Sequence, residues 1–232
     1  MLCKKILAFW QVTTDSDCSS TIVPDGCRDL IMHQPAGQAT TWFVSPLFDK
    51  LSILELAANS RLYGFRLQPG ASIDEVKLLA SLPLTPLAPL DIQDRIDCYC
   101  TYDKNIAQAL SCLATETASV PIAAKLLGVS MRTLQRHIFK TTQRTPAYWL
   151  QLARVRKAAR ALNSSLELIE IAETFGYSDQ AHMNREFKRW FHMSPKKLKK
   201  QNEIFSQLFS SGYDGTVTGE QSSIKKPLVS ET

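Results

Sequence analysis

Two segments, A-K-L-L-G-V-S-M-R-T-L-Q-R-H-I-F-K at residues 124–140 and A-E-T-F-G-Y-S-D-Q-A-H-M-N-R-E-F-K at residues 172–188, carry one pattern twice. Ala124 and Gly128 match Ala172 and Gly176 at a spacing of 48; Leu134, Arg136, Ile138 and Pro146 match Met183, Arg185, Phe187 and Pro195 at a spacing of 49. The one-residue change falls in the turn, where added length is tolerated best. The stretch 120–200 is therefore an internal repeat of one supersecondary unit.

Each copy reads as helix, turn, helix. A small alanine stands four residues before a glycine, and glycine suits a helix exit because a left-handed backbone costs it no side-chain clash. A polar cap follows, Ser130 in the first copy and Asp179 or Ser178 in the second. The next helix has a narrow apolar seam, Leu134 with Ile138 and Met183 with Phe187, at the spacing of one helical face. That leaves Met131, Arg132, Gln135 and Arg136 facing out in the first copy, and Gln180, Ala181, Asn184 and Arg185 in the second. Arginine, glutamine and asparagine are the side chains able to pair with guanine or adenine edges, and alanine offers a methyl contact to thymine.

Residues of about 104–200 resemble the DNA-binding domain of the AraC/XylS family of bacterial transcription regulators. The motifs that carry the resemblance are G-V-S-M-R-T-L-Q-R-H-I-F (128–139), T-P-A-Y-W-L (145–150) and I-A-E-T-F-G-Y-S-D-Q-A-H-M-N-R-E-F-K-R-W-F-H-M-S-P (171–195). The sequence departs from the family where Gln143 and His192 replace glycine and Leu198 replaces an aromatic; the first two predict strain at left-handed positions. The resemblance implies a protein that is not an enzyme, works in the cytoplasm and binds double-stranded DNA. Each reading helix would enter a major groove by its amino-terminal half, with successive grooves ~34 Å apart. The base-contacting set is then the eight outward residues above. The phosphate-contacting set is Ser130, Thr133, Lys140, Thr145, Asp179, His182, Lys188, Lys196 and Lys197. Activation is the commoner mode in the family, which makes RNA polymerase a further expected partner.

Charge follows the same division. Residues 1–103 carry 8 Lys/Arg against 12 Asp/Glu, residues 104–202 carry 17 against 6, and the remainder carries 2 against 4. The net values are −4, +11 and −2, so positive charge sits with the repeat, as a phosphate-binding surface requires. No apolar run approaches the ~20 residues that span a bilayer. The opening M-L-C-K-K-I-L-A-F-W reads as a first strand, without a signal-peptide cleavage pattern. The six cysteines, at 3, 18, 27, 98, 100 and 112, show no paired zinc spacing and read as reduced thiols. No metal, cofactor or catalytic group is expected.

The amino-terminal half reads as short strands at 4–12, 21–23, 29–33, 40–44, 51–56 and 61–67, separated by turns such as P-D-G at 24–26. P-D-G-C-R-D-L-I-M (24–32) and G-F-R-L-Q-P-G-A (64–71) resemble the sensor-like amino-terminal domain of one branch of the same family, which implies an antiparallel, cupin-like β domain. The fold class expected is α+β: a β-rich sensor or dimerisation domain over 1–100, a double helix-turn-helix domain over 101–202, and a mostly disordered tail over 203–232. Asp25, Arg28 and Asp29 read as a hydrogen-bonded turn. Arg28, Arg66 and Trp42 are the candidates for lining an effector pocket.

Helices are expected at 72–80, with Ser72 as cap and Glu75 completing a capping box, and at 91–100, with a proline-rich connector over 81–90 between them. Ile73, Val76, Leu79 and Ala80 either pair two subunits or cover the β domain. Ile106, Ala107, Leu110 and Leu113 mark an amphipathic helix, and residues 145–162 form a long helix that bridges the two reading units through Trp149, Leu150, Ala153, Val155 and Ala158. A signal-responsive regulator, with a small molecule or protein as effector and a second copy of the chain as a further partner, is the leading reading. The rival is a constitutive DNA-binding protein whose amino-terminal domain is a ligand-free dimerisation module.

Overall fold

A computed structural model describes residues 4–84, 89–115 and 119–215. Cys3, the middle of the proline-rich connector at 85–88 and the far tail at 216–232 lie outside the described residues. The six expected strands all form: β1 (Ile6–Thr13), β2 (Cys18–Ile22), β3 (Asp29–Gln34), β4 (Thr41–Val44), β5 (Ser52–Leu56) and β6 (Arg61–Leu67). They make two antiparallel sheets, a four-stranded one in the order β1-β6-β3-β4 and a two-stranded β2-β5 ribbon. Strand alternation gives the larger sheet two apolar faces. Val12, Ile31 and Leu62 on one face pack with Leu56 and Cys18 of the ribbon. Leu30, Phe65 and Leu67 on the other face pack with Leu78, Ile92 and Ile96 of two helices, α1 (Glu75–Ala80) and α2 (Pro89–Tyr99).

Of the four residues read either as a subunit seam or as a cover for the sheet, Ile73 and Leu79 pack against it, while Val76 and Ala80 are exposed. Leu78 is the fully buried residue of α1, while Val76 is 80% exposed. Ser72 is not the cap. It lies in a two-residue strand, β7 (Ser72–Ile73), paired with β8 (Cys100–Thr101), and Asp74 caps α1 by accepting from the Lys77 amide. A residue held in a strand ladder cannot also close the first helical turn, so the helix starts two residues later. Trp42 is likewise corrected: its indole N–H donates to the Pro83 carbonyl at 2.8 Å, its ring packs on the α1–α2 side of the sheet, and it does not line the cleft that Arg28 borders.

The helical half runs α3 (Lys104–Thr115), α4 (Val120–Leu126), α5 (Met131–Thr142), α6 (Pro146–Ala161), α7 (Leu168–Thr174), α8 (Gln180–Phe191), α9 (Pro195–Leu198) and α10 (Asn202–Leu208). Among the described residues no helix is long and apolar enough to cross a membrane. α6 is the spine. Trp149, Leu152, Ala153, Val155, Ala158 and Ala159 are all buried along it, in one core with Leu134 and Ile138 of α5 and Met183 and Phe187 of α8.

The tail expectation fails over 203–215. The segment has few apolar residues, but they are well placed: Ile204, Leu208 and Tyr213 enter the helical core. Tyr213 stacks edge-on against Trp149 at 4.7 Å, and its hydroxyl donates to the Leu110 carbonyl at 2.9 Å. Beside it Arg156 of α6, fully buried, pairs with Asp214 at 2.6 Å and donates to the carbonyls of Pro24 and Leu208. Arg160, one turn on, takes the second Asp214 oxygen at 2.6 Å. A buried ion is tolerated only when it is paired and hydrogen-bonded; Arg156 is hydrogen-bonded through all three nitrogens, and Asp214 meets an arginine at each oxygen. The segment thus straps the P-D-G turn of the β half to the spine. Gly26 in that turn has φ +77, and a Cβ there would stand 2.6 Å from the Cβ of Tyr213, so neither its conformation nor its space admits another residue.

Candidate nucleic-acid interface

The two repeats fold to one plan. α4 and α7 are both seven residues long, and each ends at a left-handed glycine, Gly128 with φ +67 and Gly176 with φ +72. The following amides reach back in the same way: Val129 N–H to the Ala124 carbonyl at 3.0 Å, and Tyr177 N–H to the Ala172 carbonyl at 2.9 Å. Gly128 and Gly176 donate to Lys125 and Glu173, completing a Schellman motif in each copy. The small alanines four residues before the glycines, Ala124 and Ala172, are buried where the helices cross.

Each turn then delivers a 12-residue reading helix. Ser130 accepts from the Thr133 amide at 3.1 Å, and Asp179 accepts from the His182 amide at 2.6 Å, so both free helix starts are satisfied. The seam residues Leu134, Ile138, Met183 and Phe187 are buried. On the outward face Met131, Arg132, Gln135, Arg136, Ala181 and Arg185 are exposed, while Gln180 and Asn184 are half-buried. Among the described residues, Arg132, Arg136 and Arg185 enter no salt bridge; Arg136 only approaches the neighbouring His137 ring at 3.5 Å. Arg132 and Arg136 on this exposed face are available to an external anion or base edge, and Arg185 is too, although its charge also acts on Asp179. Both reading helices end left-handed at non-glycine residues, Gln143 with φ 54 and His192 with φ 57, where the sequence departs from the family.

The phosphate set divides. Lys140, Lys188, Lys196 and Lys197 are exposed, the last two in the first turn of α9 after the Ser194 cap. Ser130, Thr133 and Thr145 are engaged in capping: Ser130 and Thr133 share a hydroxyl contact at 2.9 Å, and Thr145 caps α6 by accepting from Tyr148. His182 sits edge-on to Tyr177 and within 3.2 Å of the Ser178 hydroxyl. Asp179 is corrected. The hydrogen bond from the His182 amide, helped by Ser178 and the Arg185 charge, holds its carboxyl below the usual aspartate range. An ionised carboxylate repels phosphate, so Asp179 orients α8 and is removed from the contact set.

Of the effector candidates, Arg66 is also corrected. Its guanidinium is committed to Asp25 at 3.0 Å, to Asp29 at 3.1 Å and to the Ser211 carbonyl at 2.9 Å. Asp25 accepts from the Cys27 amide as the expected turn. Arg28 bonds Glu75 and the Ser45 carbonyl, and with Glu75 it lines a cleft of about 380 Å³ between the β half and the α5 exit, opposite Lys140 and Arg144. The sequence reading missed Arg144, which holds Asp49 through two 2.9 Å bonds, and the buried Arg156–Asp214 pair. A pair of arginines one turn apart on an otherwise alanine-rich helix face was the available signal for the second.

Residues 123–201 match a family described as a helix-turn-helix domain. The HTH-type transcriptional activator RhaS of Escherichia coli is 33% identical over 85 residues, covering 36% of this chain and 31% of that protein. The matched segment thus spans about a third of the curated relatives. Among solved structures, the carboxy-terminal domain of AraT, a response regulator from Geobacillus stearothermophilus, is 25% identical over 43% of this chain and 86% of that one, with a TM-score of 0.40. ToxT from Vibrio cholerae is 8% identical over 83% of this chain and 95% of that one, with a TM-score of 0.41.

Proposed function

We propose that this chain, whose carboxy-terminal region is an AraC-type helix-turn-helix domain, is a sequence-specific DNA-binding transcriptional regulator acting in the cytoplasm. The observation that carries the proposal is the duplicated reading unit: two helices of equal length, each with a side-chain cap at its start and a left-handed residue at its end, each carrying arginine and amide groups on its outward face. Arg132, Gln135 and Arg136 would read one major groove, and Gln180, Asn184 and Arg185 the next. Met131 and Ala181 add apolar contact to thymine methyls. Lys140, Lys188, Lys196 and Lys197 would neutralise phosphates, a contribution shared by all sequences and weakened by salt. Activation through RNA polymerase is favoured over repression, in line with the name of the RhaS relative.

Control by a signal belongs to the same proposal. Both faces of the main sheet are filled by the chain's own side chains. This filling supports a second reading, in which the β half is a ligand-free dimerisation module. A signal-responsive regulator would instead receive its effector in the cleft lined by Arg28 and Lys140, where one ligand touches both halves. Genome-wide mapping of bound sites, comparing the native chain with an R136A/R185A double variant, tests the function. Discrete sites sharing a two-part sequence, lost in the variant, are expected. Diffuse occupancy that both chains share would contradict sequence-specific regulation.

A further inference from the structure

The segment S-P-L-F-D-K-L at 45–51, between β4 and β5, touches the exits of both reading helices. Its root is fixed. The Ser45 amide donates to the Asp29 carbonyl at 2.8 Å, its hydroxyl accepts from the Asp29 amide at 2.8 Å, and its carbonyl accepts from Arg28. Four residues on, the Asp49 carboxylate grips the Arg144 guanidinium through two parallel bonds of 2.9 Å. Arg144 directly follows Gln143, the left-handed cap of α5. Two residues further, the Leu51 amide donates to the Trp190 carbonyl at 2.7 Å. That carbonyl is one of the last four of α8, which have no partner within the helix. Just before the first grip, the Tyr148 hydroxyl donates to the Phe48 carbonyl at 3.4 Å, and the Tyr148 ring lies 5.4 Å from that of Trp190.

We infer that this loop is the positioning element that sets the separation of the two reading helices, with Asp49 and Leu51 as its positioning residues. The inference rests on the DNA-reading proposal and deepens it. Three residues of extended chain reach only about 10 Å, so the exits of α5 and α8 are held to one short span. The contacts at its ends are directional. A bidentate carboxylate–guanidinium pair and a backbone hydrogen bond fix orientation, whereas apolar packing alone permits sliding. The same loop roots beside Arg28, whose other face lines the cleft, so a ligand that moves Arg28 would move the loop and change the separation.

The test begins by selecting a site from a random duplex library with the full chain. The selected two-part site is then rebuilt with one or two base pairs added or removed between its parts. Affinity for native spacing, divided by affinity for shifted spacing, is compared among the native chain, D49N, D49K and the reversed pair D49R/R144D. An exposed ion pair changes such a ratio about two- to fivefold. The ratio is expected to fall by that amount in D49N and further in D49K, and to recover in the reversed pair, with affinity for an isolated half-site unchanged. D49N keeps the measurement readable if the lysine variant folds poorly. A ratio unmoved in every variant, on a native chain that selects a two-part site, overturns the inference alone. A native chain that selects no common sequence removes the DNA-reading premise, and the inference with it.

Discussion

In the first reading unit, α5 begins under the neutral Ser130, and all four of its base-facing side chains are exposed. In the second, α8 begins under the Asp179 carboxylate, Gln180 and Asn184 are half-buried, and the exposed positions are Ala181 and Arg185. The backbone plan is shared down to the amides of the turn, so the difference lies in chemistry carried on one geometry. Two arginines and a glutamine can discriminate among base pairs, whereas an alanine and one arginine anchor with less choice. On the proposed DNA-reading function, the second unit is therefore expected to discriminate less sharply among base pairs than the first. The units also meet the β half differently, by an ion pair at Arg144 and by a backbone bond at Trp190.

The strongest way to break the comparison is to remove the spine on which both units hang. Asp214→Ala leaves Arg156 buried without its carboxylate, which costs about 3–5 kcal/mol by analogy with other halved buried pairs. Urea unfolding should show that loss, while an exchange of both partners for apolar residues of similar volume should recover much of it. Next in size is the reading face. Arg136→Ala should cost ~1–3 kcal/mol on a selected duplex and relax preference at one base. Arg185→Ala should fall at the low end of that range. Lys188→Ala should weaken all duplexes alike and lower the salt slope by about 1.

A smaller effect has the opposite sign. Gln143→Gly and His192→Gly relieve left-handed strain and should each raise stability by up to about 1 kcal/mol, read as a higher unfolding midpoint. The smallest separates the caps. The Asp179 carboxyl ionises more readily in the folded chain than in the unfolded one. Its support for α8 is therefore complete above the ordinary aspartate value of about 3.9 and is lost as pH falls below it. Ser130 carries no such dependence. In an acid titration the α8 amide protons should lose protection before those of α5, and D179N should remove the difference.

The double unit was legible because every feature that makes it is local. The Ala–Gly spacing, the caps and the seam all act within one turn of their own residues. The strands were legible for the same reason, since alternation and turn residues sit side by side in the chain. What escaped was non-local. Ser72 looks like a cap until Thr101 pairs with it across the chain. Arg66 looks available until Asp25, Asp29 and Ser211 converge on it. The strap at 203–215 reads as solvated from its composition, because Tyr213 and Asp214 acquire partners only once α6 is in place.

Hydroxyl-radical footprinting of a selected duplex tests the paired-probe claim most directly. The native chain should protect two tracts on one face of the duplex, about one helical turn of ~34 Å apart. Arg136→Ala should weaken protection of one tract and Arg185→Ala, to a smaller degree, that of the other. A single protected tract, or the same tract weakened in both variants, would contradict the reading of two helices in two successive grooves.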